Sequence, residues 1–154
     1  MEWPPHLTVA SVVERDGKFL MVKETKEGRS VYNQPAGHLE PNESLQEAAL
    51  RETLEETAWH IKLKHALGVT LFTAPGNGVT YCRVSFAGDA LKHDPDRPLD
   101  PDIDEALWLS YEEIRALEND LRSPIVLQVI EEYLAGQHFP LNFISRYDAA
   151  DRSQ

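Results

Sequence analysis

In the stretch GHLEPNESLQEAALRETLEETAW, Gly37 to Trp59, three glutamates stand at 52, 55 and 56, within little more than one turn of a helix. At about 100° per residue their side chains share an arc of about 100°, and Leu45, Ala48 and Ala49 fall on that same side. Such a face would turn the carboxylates toward the body of the protein. Like charges at i,i+3 and i,i+4 oppose one another by roughly 0.2–0.5 kcal/mol per pair even when exposed, so something cationic should compensate them. Arg51 is expected to point elsewhere. Hard divalent ions, which take oxygen ligands and keep water in their remaining positions, are the natural candidates, and the alanines leave room for them. The competing reading is a solvated helix face, since glutamate is a good helix former and Leu50 and Leu54 lie on the opposite flank.

The elements that must position these acids can be read around them. Ser44 and Glu47 form an S-x-x-E capping box, which starts the helix near Ser44. Upstream, residues 7–23, LTVASVVERDGKFLMVK, are two β-branched-rich runs joined at Asp16-Gly17, a hairpin signal. A polar loop, KETKEGRS, is expected next, then a short extended segment, VYNQPAG, stopped by Pro35 and Gly37. IKLKHALGVTLF, GVTYCRVSFAG and IDEALWL have strand character, the last leading into a helix from about Tyr111. Ser123 and Pro124 read as an N-cap and first helical position of a final helix closing at Gly136. The polar tail after Phe143 is expected to fray. Together these predict one domain over residues 1–154, a mixed sheet between helical layers of the α/β class.

Spacing across the whole stretch adds a resemblance. Gly37, five residues, Glu43, seven residues, Arg51-Glu52, two residues and Glu55-Glu56 follow the Nudix box, G-x5-E-x7-R-E-U-x-E-E-x-G-U, where U is a bulky aliphatic residue. Two features depart from it. Ala58 stands where the family has its second glycine, and Thr53 and Trp59 occupy the U positions. With Trp59 and IKLKHAL following and no other stop signal, the helix is expected to run on through position 58. HLTVASVV, GKFLMVKET, YNQPAGHLE, IDEALWLSYEEI and LRSPIVLQVIEEYLAGQHFPL further resemble the phosphatase NudJ branch of that family.

The resemblance implies a Nudix-type α/β/α sandwich and Mg²⁺-dependent hydrolysis of a diphosphate linked to another moiety, with Mn²⁺ as a substitute ion. For the branch it implies nucleoside di- and triphosphates and hydroxymethylpyrimidine pyrophosphate as substrates. By carry-over, Glu52 and Glu56 are the main metal ligands, Glu55 a ligand or the base orienting the water, and the Ala36 carbonyl a further ligand. Gly37 would let the backbone turn sharply, and Arg51 and Glu43 would form a bidentate ion pair locking the loop over the helix. A general base could come from PDRPLDPDIDEA, which offers Asp100, Asp102, Asp104 and Glu105. Phosphate contacts could come from Lys23, Arg29 or Arg83, and a base-stacking surface from Tyr32, Phe72, Tyr81 or Trp108; each of these types is more often a core or surface residue.

Composition narrows the partners. A net charge of −11 disfavours nonspecific contact with nucleic acid or anionic lipid, so an anionic substrate needs mediating cations. The single cysteine, Cys82, lies in an apolar run and reads as packed strand rather than nucleophile. That makes it a poor centre for an isomerase of the same fold. The six histidines lack the paired spacing of a zinc site. The N-terminal residues lack the features of a signal peptide and no apolar run would span a membrane, so a cytoplasmic protein is expected. A monomer is expected, with a homodimer as the alternative. Because Glu52, Glu55 and Glu56 are all present, an enzyme is expected over a noncatalytic nucleotide-sensing or partner-binding module.

Overall fold

The computed structural model describes residues 3–147. The first hairpin, β1 (His6–Arg15) and β2 (Lys18–Lys26), turns at Asp16-Gly17 with φ of 53° and 79°, the left-handed pair that a two-residue hairpin turn requires. The expected polar loop is a second tight hairpin instead. Glu27 and Gly28 also take positive φ, 53° and 76°, and join β2 directly to β3 (Arg29–Asn33). The reason is positional: β2 and β3 extend past the core, so their polar side chains are solvent-facing strand residues rather than loop residues.

β1 is the organising strand. It runs parallel to β6 (Thr80–His93) along most of its length, while its other edge changes partner. Thr8 to Ala10 pair with β4 (Ala36–His38), the Ser11 N–H donates to the Pro35 carbonyl at 3.0 Å, and Glu14 and Arg15 pair with β2. β2 carries β3 on one side and β7 (Ile103–Ser110) on the other, and β5 (Trp59–Thr73) flanks β6. The strands thus divide on either side of the β1 edge, and a cleft opens beneath β4.

Helices cover both faces, as strand alternation demands. Val9, Val84 and Phe86 pack with Ala48, Ala49 and Ala66 beneath α1 (Leu45–Thr57). From the opposite face, Val12 and Ala87 join Phe19, Met21 and Leu67 against α2 (Tyr111–Ala116) and α3 (Ile125–Leu134). The mixed sheet between helices is the expected α/β/α arrangement.

The helix ends are where local sequence reading meets tertiary demand. Ser44 caps α1 as expected: its Oγ accepts from the Glu47 N–H at 3.0 Å and its own N–H donates to Glu47 Oε1 at 2.8 Å. The expectation that α1 runs through position 58 is overturned. Ala58 is left-handed, φ 61° and ψ 20°, and its N–H closes on the Leu54 carbonyl at 2.9 Å. Pairing across β5 and β6 forces this reversal, because Trp59 must stand opposite His93 and stack on its ring. At the last helix, Pro124 has helical angles but precedes the first α3 residue, Ile125, whose N–H donates to Ser123 Oγ at 3.2 Å. The helix starts one residue later than expected. The tail is held further than expected: Gln46 Nε2 donates to the Leu141 and Ile144 carbonyls, and Ile144 packs under α1. Residues 148–154 of that expectation lie outside the described residues.

Candidate active site

The acid-bearing face of α1 is turned inward, as the helical period predicts. Glu56 is 7% exposed, and Glu52 is half-buried beside it. Both line a cleft of about 490 Å³ with Ala36, Gly37, His38, Phe72, Tyr81, Arg83 and Asp102. Glu52 approaches the β4 backbone so closely that a Cβ at Gly37 would overlap its carboxylate. This is why a glycine stands there. The expected sharp turn is absent: Gly37 is a strand residue paired with Val9, and what it supplies is space.

Glu52, Glu55 and Asp100 each bring a carboxylate oxygen within 4.8 Å of the others. Asp100 reaches them because its N–H donates to the Glu55 carbonyl at 2.9 Å, satisfying one of the free acceptors at the end of α1. Glu56 lines the cleft with Glu52, its Oε1 accepting the Ala36 N–H at 2.8 Å. Burial pushes the Glu56 carboxyl up to about 8, against that hydrogen bond, and also raises Glu52. Carboxylate oxygens gathered this closely are hard donors, and they suit a divalent metal such as Mg²⁺ or Mn²⁺ in donor type.

Arg51 does not point elsewhere. Its Nε and Nη2 grip Glu43 at 3.0 and 2.8 Å, the expected bidentate pair, and Nη2 also donates to the His38 carbonyl at 2.9 Å. Its Nη1 then turns back to Glu52 Oε1 at 2.8 Å and Glu55 Oε2 at 3.3 Å. The long, flexible stem lets one guanidinium reach around the helix to i+1 and i+4. Arg51 therefore ties the Glu43 loop, the His38 backbone and the acid cluster together. Its hydrogen bonds hold the Glu43 carboxyl below the usual range and raise Arg51 itself.

The other candidates separate cleanly. Asp102 lines the cleft, whereas Asp104 Oδ2 accepts from Thr25 Oγ1 and Glu105 stands opposite Lys23 across β2 and β7. Phe72 and Tyr81 pair across β5 and β6 to form an aromatic wall, with the His6 ring edge-on to Tyr81 at 5.5 Å. Lys23 and Tyr32 are neighbours on β2 and β3 outside the cleft lining, Tyr32 packing on the α3-side core. Arg29 is engaged by Asp120 and the Asn119 carbonyl, and Trp108 packs on Trp59. Sequence reasoning missed Glu24, Asn33, Gln34 and Arg122. Arg122 Nη1 donates to Glu24 Oε2 at 2.7 Å at the cleft rim, a contact between residues 98 apart that no local pattern signals.

A Nudix-domain family model matches residues 4–129. The chain is 44% identical over 144 residues to phosphatase NudJ of Escherichia coli strain K12, covering 94% of this chain and 93% of that one. The phosphatase NudJ of Shigella flexneri gives the same figures. Among solved structures, a NUDIX hydrolase from Nitrosomonas europaea superposes with a TM-score of 0.92 at 45% identity, over 95% of this chain and 99% of its own. The chain belongs to the Nudix family of phosphohydrolases.

Proposed function

We propose that the protein is a Mg²⁺-dependent pyrophosphohydrolase of the cytoplasm, acting as a monomer on nucleoside di- and triphosphates and on hydroxymethylpyrimidine pyrophosphate. The observation that carries this reading is the convergence of Glu52, Glu55 and Asp100 within 4.8 Å, with Glu52 and the buried Glu56 lining a cleft that has an aromatic wall. Glu52, Glu55, Glu56 and Asp100, with the Ala36 carbonyl, would hold Mg²⁺, or Mn²⁺ in its place. The bound ion supplies neutralisation of diphosphate charge and a lowered pKa for an attacking water. Arg51 holds Glu52 and Glu55 in position, and Gly37 keeps the backbone clear of Glu52.

Asp102 is the general base favoured by position, because it alone of Asp102, Asp104 and Glu105 faces the cleft. In that role it takes the proton of the water whose oxygen bonds to the terminal phosphorus, while the bridging P–O bond breaks and its electrons leave with the shortened substrate. Phe72 and Tyr81 offer ring faces to a base. A stacking surface reads a π-face rather than hydrogen-bonding edges, so selectivity among bases should be small. A panel of nucleoside di- and triphosphates, hydroxymethylpyrimidine pyrophosphate, ADP-ribose and dinucleoside polyphosphates, with the products separated by chromatography after incubation in Mg²⁺ and in chelator, tests the reading. Metal-dependent cleavage of the first three classes is the expected result. Cleavage of ADP-ribose or dinucleoside polyphosphates alone would overturn the substrate assignment, and no cleavage at all would overturn the activity.

A further inference from the structure

Arg83 lies at the floor of the same cleft, 7% exposed, between Thr8 of β1 and Thr70 of β5. Neither strand neighbour carries charge. Its Nη2 donates to Asn33 Oδ1 at 3.0 Å and to Gln34 Oε1 at 2.9 Å, both neutral amide oxygens. Gln34 is itself fixed: it is buried, and its Nε2 donates to the Val126 carbonyl at 2.7 Å, which leaves only its oxygen for Arg83. Two of the carboxylates that line the cleft are engaged by other cations, Glu24 by Arg122 and Glu52 by Arg51. Among the described residues no carboxylate pairs with Arg83.

A buried guanidinium with amide partners and no counter-charge is costly by several kcal/mol unless an anion completes it. The other cations of the cleft differ. Arg122 already has Glu24 and is half-exposed at the rim, whereas Arg83 is sunk and unopposed. Among the described residues no buried side-chain nitrogen lacks a partner, so the Nε and Nη1 donors of Arg83, which have no protein acceptor, are open to the cleft. The doubly charged terminal phosphate of a phosphate chain meets an unopposed guanidinium better than a singly charged bridging phosphodiester does.

We propose that Arg83, oriented by Asn33 and Gln34, receives the terminal phosphate of the substrate and makes a free phosphate end the basis of selectivity over internally linked diphosphates. The assignment rests on the diphosphate-hydrolase reading of the site. It makes Arg83 a specificity-determining residue and Asn33 and Gln34 positioning residues.

The test is a binding comparison that does not require turnover. With Mg²⁺ present, α,β-methylene-ADP, which has a free phosphate end, and the α,β-methylene analogue of ADP-ribose, esterified at both ends, are titrated calorimetrically into wild type, Arg83→Met and Asn33→Asp. Wild type should bind the free-ended analogue at least about tenfold tighter, and both variants should bring the two within about threefold of each other. Asn33→Asp supplies an internal counter-charge at an existing hydrogen bond, so it decides the matter should Arg83→Met fail to fold. No wild-type preference, or a preference that survives Asn33→Asp, would overturn the proposal. If wild type hydrolyses no diphosphate at all, the activity assignment falls while the binding ratio still answers for Arg83.

Discussion

The two sides of the cleft are charged in opposite senses and incomplete in opposite ways. On the α1 side, Glu52, Glu55, Glu56 and Asp100 converge with Arg51 as the cation bound among them, so negative charge is in excess. On the floor, Arg83 has only amide oxygens, so positive charge is in excess. Direct neutralisation of one by the other would be simple, and the fold prevents it by placing them on different elements with separate partners. Each side is left short of the charge that one half of a metal–diphosphate complex would bring. The lesson is that stability and binding pull apart here: both sides cost the empty fold something, and that cost favours the ligand.

The largest expected effect breaks the acidic side. Glu56→Gln keeps an oxygen for the Ala36 N–H while removing the charge. Activity should fall by more than the about 10–100-fold that loss of an outer-shell partner brings. The protein should nonetheless remain folded, with a melting temperature in chelator at neutral pH above that of wild type, because Glu56 must take up a proton to be buried at that pH and the amide need not. Added Mg²⁺ should then raise the melting temperature of wild type more than that of the variant. Unchanged turnover in folded Glu56→Gln, or equal shifts with Mg²⁺, would remove Glu56 from the metal side of the comparison.

A pH series sharpens the same point. In the fold Glu56 is pushed up from 4.5 to about 8 by burial. Because the folded value lies above the ordinary one, the protonated form is the one the fold favours. Its contribution is fully present below about pH 4.5 and is lost as pH rises toward 8. In chelator, wild type should therefore lose stability across that window, by up to about 1.4 kcal/mol per pH unit where the titration is steepest. Denaturant melts of Glu56→Gln across the same window should show a shallower slope. Parallel slopes would mean that another group governs the dependence.

How far the two sides could be read from the sequence follows from how each is assembled. The acidic side is mostly local: a helical period places Glu52, Glu55 and Glu56 together, a capping box fixes where the helix starts, and the spacing to Gly37 and Glu43 carries the family resemblance. Strands, helices and the mixed sheet were legible for the same reason. What was not legible depends on distant partners. Asp100 joins the acids through one hydrogen bond to the end of α1, and Arg51 turns back because a long stem has four carboxylates, Glu40, Glu43, Glu52 and Glu55, and a carbonyl in reach. Arg83 stood only among several candidate contacts, since its burial and neutral partners come from β3 and from the segment after it, some 50 residues away.

A third test separates the connector from the cluster. Arg51→Lys keeps a charge near Glu52 and Glu55 but cannot reproduce the paired bonds to Glu43 together with the bond to His38. Lost charged hydrogen bonds of this kind are worth about 1–3 kcal/mol, and misplacement of the cluster should lower activity by about 10–100-fold. Metal titration followed by melting temperature should show weaker Mg²⁺ stabilisation than in wild type. If Arg51→Lys loses stability but keeps full Mg²⁺ response and turnover, Arg51 serves the Glu43 loop alone and the acid cluster positions itself.

The smallest expected effect lies at the hinge between α1 and β5. Ala58 holds φ 61° at a position where most helix ends of this kind use glycine. Left-handed backbone strains an L-residue by roughly 1–2 kcal/mol, and Ala58→Gly removes that strain. Two terms oppose the gain. The methyl is buried, with Ala58 2% exposed, and its loss costs about 0.8 kcal/mol; glycine also leaves the unfolded chain more freedom, which costs a further few tenths to about 1 kcal/mol. The sum is close to zero, with strain relief the largest single term, so a melting-temperature rise of no more than about 2–4 °C is expected. Catalytic constants should not change, because the N–H and carbonyl of residue 58, bonded to Leu54 and Asp94, are kept. A clear loss of stability would show that the buried methyl, packed where the two elements meet, matters more than the strain. That would explain how an alanine holds this turn at all.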